Sequence, residues 1–95
     1  MKEDIISVND SLNKWCNTKG INYYEGIEAL GLLFEWAVPK FGYTEIEFLC
    51  DTNGVGYYVQ LEDATGNIVS HSLSWHETPA LALFWAIWEI IENER

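Results

Sequence analysis

The side chains with the widest chemical reach in this chain are His71 and His76, Cys16 and Cys50, and the serines at 70, 72 and 74. A His-x4-His pair at the end of a strand aims its two rings at opposite faces, because side chains alternate along extended backbone. Adding Cys50 gives a mixed trio without a fourth ligand, short of the closed tetrahedral set of a structural zinc site. No metal is expected, and the histidines read as hydrogen-bonded residues at the edge of the core. The serine side chains alternate away from His71 and no Gly-x-Ser-x-Gly elbow frames them, so a nucleophilic triad is not expected. Gly54, Gly56 and Gly66 belong to hairpins and none opens a helix, so they form no phosphate-binding loop. Neither catalytic residues nor a cofactor are expected, which leaves a non-enzymatic binding protein.

The carboxylates say more. Fifteen Asp and Glu stand against five Lys and Arg, for a net charge of −10. Between Gly20 and Glu94 twelve acids meet a single base, Lys40. Such a field repels phosphate backbones and anionic lipid, and it attracts a basic protein surface or a cation. Direct binding to nucleic acid or membrane is therefore not expected. The longest apolar run, Ala80 to Trp88, is too short to span a bilayer. The cysteines lack paired spacing and the start MKEDIISVND lacks the apolar stretch of a signal peptide, which together point to reduced thiols in cytoplasm.

A chain of 95 residues has room for one domain, taken here as residues 1–95. Ile5, Val8, Leu12 and Trp15 recur at helical spacing ahead of Gly20, which predicts a helix over residues 3–18 within a lead-in of residues 1–20. A second helix is expected from Tyr23 to Val38, ended by Pro39, with Glu25, Glu28 and Glu35 along one stripe. A two-residue type I′ turn at Asn53 and Gly54 joins two strands. It sets Cys50 opposite Tyr57, Phe48 opposite Val59 and Ile46 opposite Leu61, every pair apolar and on one face.

The next connection, Asp63 to Asn67, suits a three-residue loop with Gly66 left-handed, pairing Leu61 with Val69, Val59 with His71 and Tyr57 with Leu73. A turn centred on Thr65 and Gly66 sets Leu61 against Ser70 and is rejected on that ground. Thr78 as N-cap and Pro79 at the first position open a last helix over residues 79–93. In that helix Glu89 is the lone polar residue from Ala80 to Ile91. The fold class expected is α+β, a three-stranded antiparallel meander packed with helices in the order α-α-β-β-β-α.

That order, closed by ETPALAL at residues 77–83 and by the spacing of Pro79, Leu81, Leu83 and Ala86, resembles the phage ABA sandwich domain, a group of small phage and prophage proteins. The likeness covers about Asn22 to Glu94. It implies a phage origin, hence a bacterial host cell as the compartment, and a fold layered from helices and sheet. It brings no catalytic residues to transfer. Phe84 and Trp85 stand where a basic residue would be expected.

Two surfaces are candidates for binding. On the open face of the sheet the register sets Glu45 opposite Glu62 and Glu47 opposite Gln60, with Asp51 and Tyr58 beside them. This is either an acidic platform for a basic partner or a solvated face; a divalent ion held by these carboxylates is a lesser variant. On the helices Leu32, Trp36, Leu81, Trp85 and Trp88 exceed what one meander covers. Either the N-terminal helix packs over them through Leu12 and Trp15, or two chains meet there in a homo-oligomer, most simply a two-fold dimer.

Three functions follow as expectations. The first is a phage-encoded acidic protein that occupies a basic surface of a host protein, as an anti-defence inhibitor or phosphate mimic. The second is an oligomer that sequesters a nucleotide-like immune signal between aromatic rings. The third is a structural or accessory phage protein.

Overall fold

The computed structural model describes residues 4–41, 45–51, 53–54 and 56–93. It is an α+β fold in the expected order, with a three-stranded antiparallel sheet in which β2 is central. Helix α1 (Ile5–Cys16) turns Val8, Leu12 and Cys16 inward. It stops at Asn17, whose φ of 59° takes the left-handed conformation. The Asn17 N–H donates to the Lys14 carbonyl and the Thr18 N–H to the Asn13 carbonyl. These are the two bonds of a Schellman stop, so the helix ends ahead of Gly20.

The second helix departs from expectation at both ends. Residues 23–28 are turns, because the Asn22 carboxamide oxygen accepts the N–H groups of Tyr24 and Glu25, and Gly26 follows at φ +92°, which no right-handed helix accommodates. Helix begins with α2 (Ala29–Leu32), widens into a π turn (Leu33–Ala37) and continues as α3 (Val38–Phe41) straight through Pro39. Proline has no N–H to give the carbonyl four residues back, and its ring crowds that carbonyl. Here the turn just ahead is widened, with the Val38 N–H reaching back five residues to Leu33. Glu25 and Glu28 precede α2, so the expected acidic stripe with Glu35 does not form.

The first hairpin has the expected register. Strands β1 (Glu45–Asp51) and β2 (Gly56–Glu62) pair Ile46 with Leu61, Phe48 with Val59 and Cys50 with Tyr57. Thr52 and Val55 lie outside the described residues. The register is the one a two-residue turn at Asn53 and Gly54 sets, and the Gly54 N–H donates to the Asp51 carbonyl at 3.2 Å.

The second hairpin corrects the expectation. Its loop closes as foreseen: the Asp63 N–H donates to the Asn67 carbonyl and Gly66 has φ +86°. A bulge then intervenes on β3 (Ile68–His71), so that Glu62 faces Ile68 but Leu61 faces Ser70 and Gln60 faces His71. The register rejected from sequence is the one observed, because Val69 is an extra residue that the alternation does not reveal.

The serines brought inward are satisfied. The Ser70 hydroxyl donates to the Ala86 carbonyl at 2.6 Å, and the Ser72 hydroxyl accepts the Val59 N–H while donating to the Ser74 carbonyl. Beyond Ser72, residues 73–75 loop outward with Leu73 at φ 71°, and His76 returns to pair with Tyr57, not Leu73 as expected.

Helix α4 (Pro79–Asn93) matches its expected bounds, and Thr78 caps it through a hydroxyl that accepts the Leu81 N–H. It lies across β2 and β3 on one side and meets α1, α2 and the π turn on the other. This position accounts for a helix apolar on nearly every side. Phe84, Leu83, Ile87 and Leu12 are fully buried within the layers, each contributing about 2 kcal/mol of hydrophobic stabilisation.

The Asp63 loop yields a pH prediction. Its carboxylate accepts the Thr65 hydroxyl and the N–H groups of Asn67 and Thr65, and these bonds hold its pKa below the usual value. A depressed folded-state pKa stabilises fully above the unfolded value, about pH 4, and the contribution is lost as pH falls through the folded value. Asp63→Asn keeps an acceptor but cannot titrate. Its urea midpoint is expected to fall less than that of the parent on acidification below about pH 4; superimposable midpoint–pH curves would count against this role.

Candidate functional site

The open face of the sheet is built by the odd residues of β1 and the even residues of β2, since the core takes the alternate set. Glu45 stands opposite Glu62, Glu47 opposite Gln60 and Leu49 opposite Tyr58. Glu45 and Glu47 are exposed, while Asp51, Tyr58, Gln60 and Glu62 are half-buried. The Asp51 carboxylate is engaged locally, accepting the Asn53 N–H at 2.7 Å. No Lys or Arg lies in any of the three strands.

The β3 bulge brings His71 to this face. Its Nδ1 accepts the Leu73 N–H at 3.1 Å and lies 2.8 Å from the Tyr58 hydroxyl. Because Nδ1 accepts from the backbone, a neutral ring carries its proton on Nε2. The Tyr58 and His71 rings stack at 5.9 Å, and Trp75, 41% exposed, leans on Tyr58 at 5.6 Å. The face is thus acidic at the Glu45 and Glu62 end and aromatic at the Tyr58 end. Sequence reasoning missed Trp75 and put His71 on the core side. The signal it lacked was the bulge, and the Ser-x-Ser spacing of 70 and 72 ahead of a buried helix was the trace of it.

The five helix residues do not form one patch. Leu81, Trp85 and Trp88 line a cleft of about 750 Å³ between α4, the start of α1 and the outward loop at residues 73–75. Leu32 lines a separate hollow of about 460 Å³ beside Ile27. Trp36 sits on the π turn with 42% of its surface exposed. Trp88, expected at the centre of a dimer, is 6% exposed within the single chain. Trp85 stacks on His76 at 6.5 Å and is perpendicular to the Phe84 ring at 5.3 Å. Of the two residues expected to bring α1 over the five helix residues, Leu12 lies in the core, while Trp15 stacks on Phe41 with Lys40 over its ring.

Cys16 is buried, and that burial pushes its thiol pKa up, away from nucleophilic use; Cys50 is exposed and also unpaired. Burial likewise pushes the Tyr23 phenol up to about 12. The Thr18 hydroxyl already donates to the Asn13 carboxamide, so the Tyr23 hydroxyl is the donor in its 2.7 Å contact with Thr18. Among the described residues no three of His, Cys, Asp and Glu come together to hold a metal ion. No helix of the described residues is long and apolar enough to cross a membrane. Comparison of the chain with protein-family models, with curated proteins and with solved structures finds no match.

Proposed function

We propose that this chain is a non-enzymatic acidic binding protein that occupies the basic surface of a partner protein with its open sheet face, a use suited to a phage product acting against a host factor. The observation that carries the reading is the pair Glu45 and Glu62, directly cross-strand on a sheet whose strands contain no Lys or Arg. Opposed like charges weaken the free protein slightly and are relieved by a basic partner. Beside them Tyr58, His71 and Trp75 offer a half-exposed aromatic cluster. An aromatic anchor next to charged residues is the composition of a protein-binding surface, with the rings giving affinity and the carboxylates steering approach.

A nucleotide-like ligand is less favoured. The aromatic cleft that would stack a base also carries Asp4, Glu89 and Glu92, with no described Lys or Arg in its lining.

The decisive experiment recovers the partner by affinity capture, purifies it, and measures binding through a salt series. Glu45→Gln with Glu62→Gln is expected to slow association and weaken affinity about tenfold at low salt, while slightly stabilising the free protein. Trp75→Ala is expected to speed dissociation. A purified partner whose affinity ignores salt and both variants would overturn the proposal.

A further inference from the structure

The stripe of α4 that faces the segment after β3 reads Leu81, Trp85, Trp88, Glu89, at positions i, i+4, i+7 and i+8 and therefore on one helix face. It forms the wall of the 750 Å³ cleft, a volume within the range of small-molecule sites. Leu73, held at φ 71°, forms part of the opposite lip together with His76. Glu89 is the lone charged residue in an otherwise apolar stretch from Ala80 to Ile91, and it lines this cleft, whose described lining holds no Lys or Arg. Asp4, just ahead of α1, and Glu92 bring the carboxylates of the lining to three.

We propose that this cleft is a binding site for a small organic cation, a protonated amine on an aromatic or aliphatic body. Indole faces attract ammonium groups through their negative quadrupole, and the attraction grows as the site is desolvated. The apolar body of the ligand would lie against Leu81 and Trp88 while Glu89 supplies the counter-charge. The chain already joins a cation to an indole elsewhere, with Lys40 Nζ 5.7 Å from the Trp15 ring. Anions are disfavoured by the same carboxylates, and neutral ligands forgo both attractions. The site does not depend on the sheet face: Trp75 points to Tyr58, while its neighbours Leu73 and Ser74 line the cleft.

The probes are three molecules of one shape: phenethylammonium, 2-phenylethanol and phenylacetate. Calorimetry and the indole NMR signals of Trp85 and Trp88 would follow binding to the full chain. Phenethylammonium is expected to bind with an affinity about tenfold above that of the alcohol, and phenylacetate not at all. Glu89→Gln should weaken the ammonium several-fold more than the alcohol, with Asp4 and Glu92 retaining part of the preference. Trp85→Leu should weaken the ammonium more than the alcohol. Circular dichroism and urea midpoints check that both variants fold, and the parent titration stands by itself if one does not. Equal binding of ammonium and alcohol, undiminished preference in Glu89→Gln, or no saturable binding of phenethylammonium at millimolar concentration overturns the proposal.

Discussion

Gly56→Ala is expected to cost about 3 kcal/mol or more of folding stability, a large share of what a small domain possesses. Two causes act at this position. Its φ of +116° is one that side-chain-bearing residues rarely adopt, and a Cβ built there collides with the carbonyl oxygen of His76. That carbonyl cannot retreat cheaply, because it accepts the Tyr57 N–H at 2.7 Å while the His76 N–H donates back to Tyr57 at 2.8 Å. The bridge closes the chain after the outward loop at residues 73–75 and so fixes the lip of the cleft and the placement of Trp75.

Gly54→Ala is the control. Its φ is also positive, at +89°, but nothing lies within 4 Å of the added carbon, so it should lose only about 1 kcal/mol. Urea unfolding of the two variants separates strain from collision. Hydrogen exchange at the Tyr57 and His76 amides should quicken in Gly56→Ala alone. Equal losses in the two variants would show that the His76 carbonyl moves aside freely.

What the sequence conveyed depended on whether a segment obeyed one period throughout. The first hairpin was legible because each of three apolar pairs checked the others, and the opposition of Glu45 and Glu62 came with them. Helix α4 was legible from its cap, its proline and its unbroken apolar run. The second hairpin was not, because one extra residue at Val69 inverts every later side chain, and apolar alternation favours the register that keeps Ser70 out of the core. Ser70 and Ser72 are tolerated inside only because the Ala86 carbonyl, the Val59 N–H and the Ser74 carbonyl meet their hydroxyls. Those partners are tertiary facts.

The same holds for residues 23–41, where apolar spacing suggested one helix. Backbone capture by Asn22 delays its start, and a π turn carries it past Pro39. For the site, the acidic half of the open face could be read in advance, whereas its aromatic half waited on the bulge. The five helix residues Leu32, Trp36, Leu81, Trp85 and Trp88 suggest one patch and are divided among a cleft, a hollow and the π turn.

Asn13→Asp is expected to be nearly as damaging as Gly56→Ala, for an electrostatic reason. Asn13 is buried, and its carboxamide uses its full bonding capacity. Nδ2 donates to the carbonyls of Asn9 and Ile21, at 3.1 and 2.8 Å, and Oδ1 accepts the Thr18 hydroxyl and the Ile21 N–H, at 2.9 and 3.1 Å. One turn earlier Asn9 repeats the arrangement, donating to the Ile21 carbonyl and accepting the Tyr23 N–H. Together the two amides replace regular structure as the tie between α1 and residues 18–23, and they hold Tyr23 in the core.

A carboxylate at position 13 keeps the acceptor side and turns lone pairs toward two carbonyl oxygens. The cost should be about 3 kcal/mol at neutral pH, since a buried charge loses its solvation and meets like partial charges. Protonation restores one donor, so the folded-state pKa of the new carboxyl is raised and the penalty should shrink as pH falls toward about 4. Asn22→Ala, which removes an exposed acceptor of two N–H groups, should cost only about 1 kcal/mol and show no such pH dependence. Urea midpoints for the three proteins at neutral and acid pH provide the check; an Asn13→Asp penalty no larger than that of Asn22→Ala, or one that does not change with pH, would refute the lock. Because Ile5 and Asp4 open the helix that this lock anchors, its loss should also loosen the α1 side of the cleft. Weaker binding of phenethylammonium to Asn13→Asp, under conditions where that variant remains folded, would tie the stability of α1 to the site it walls.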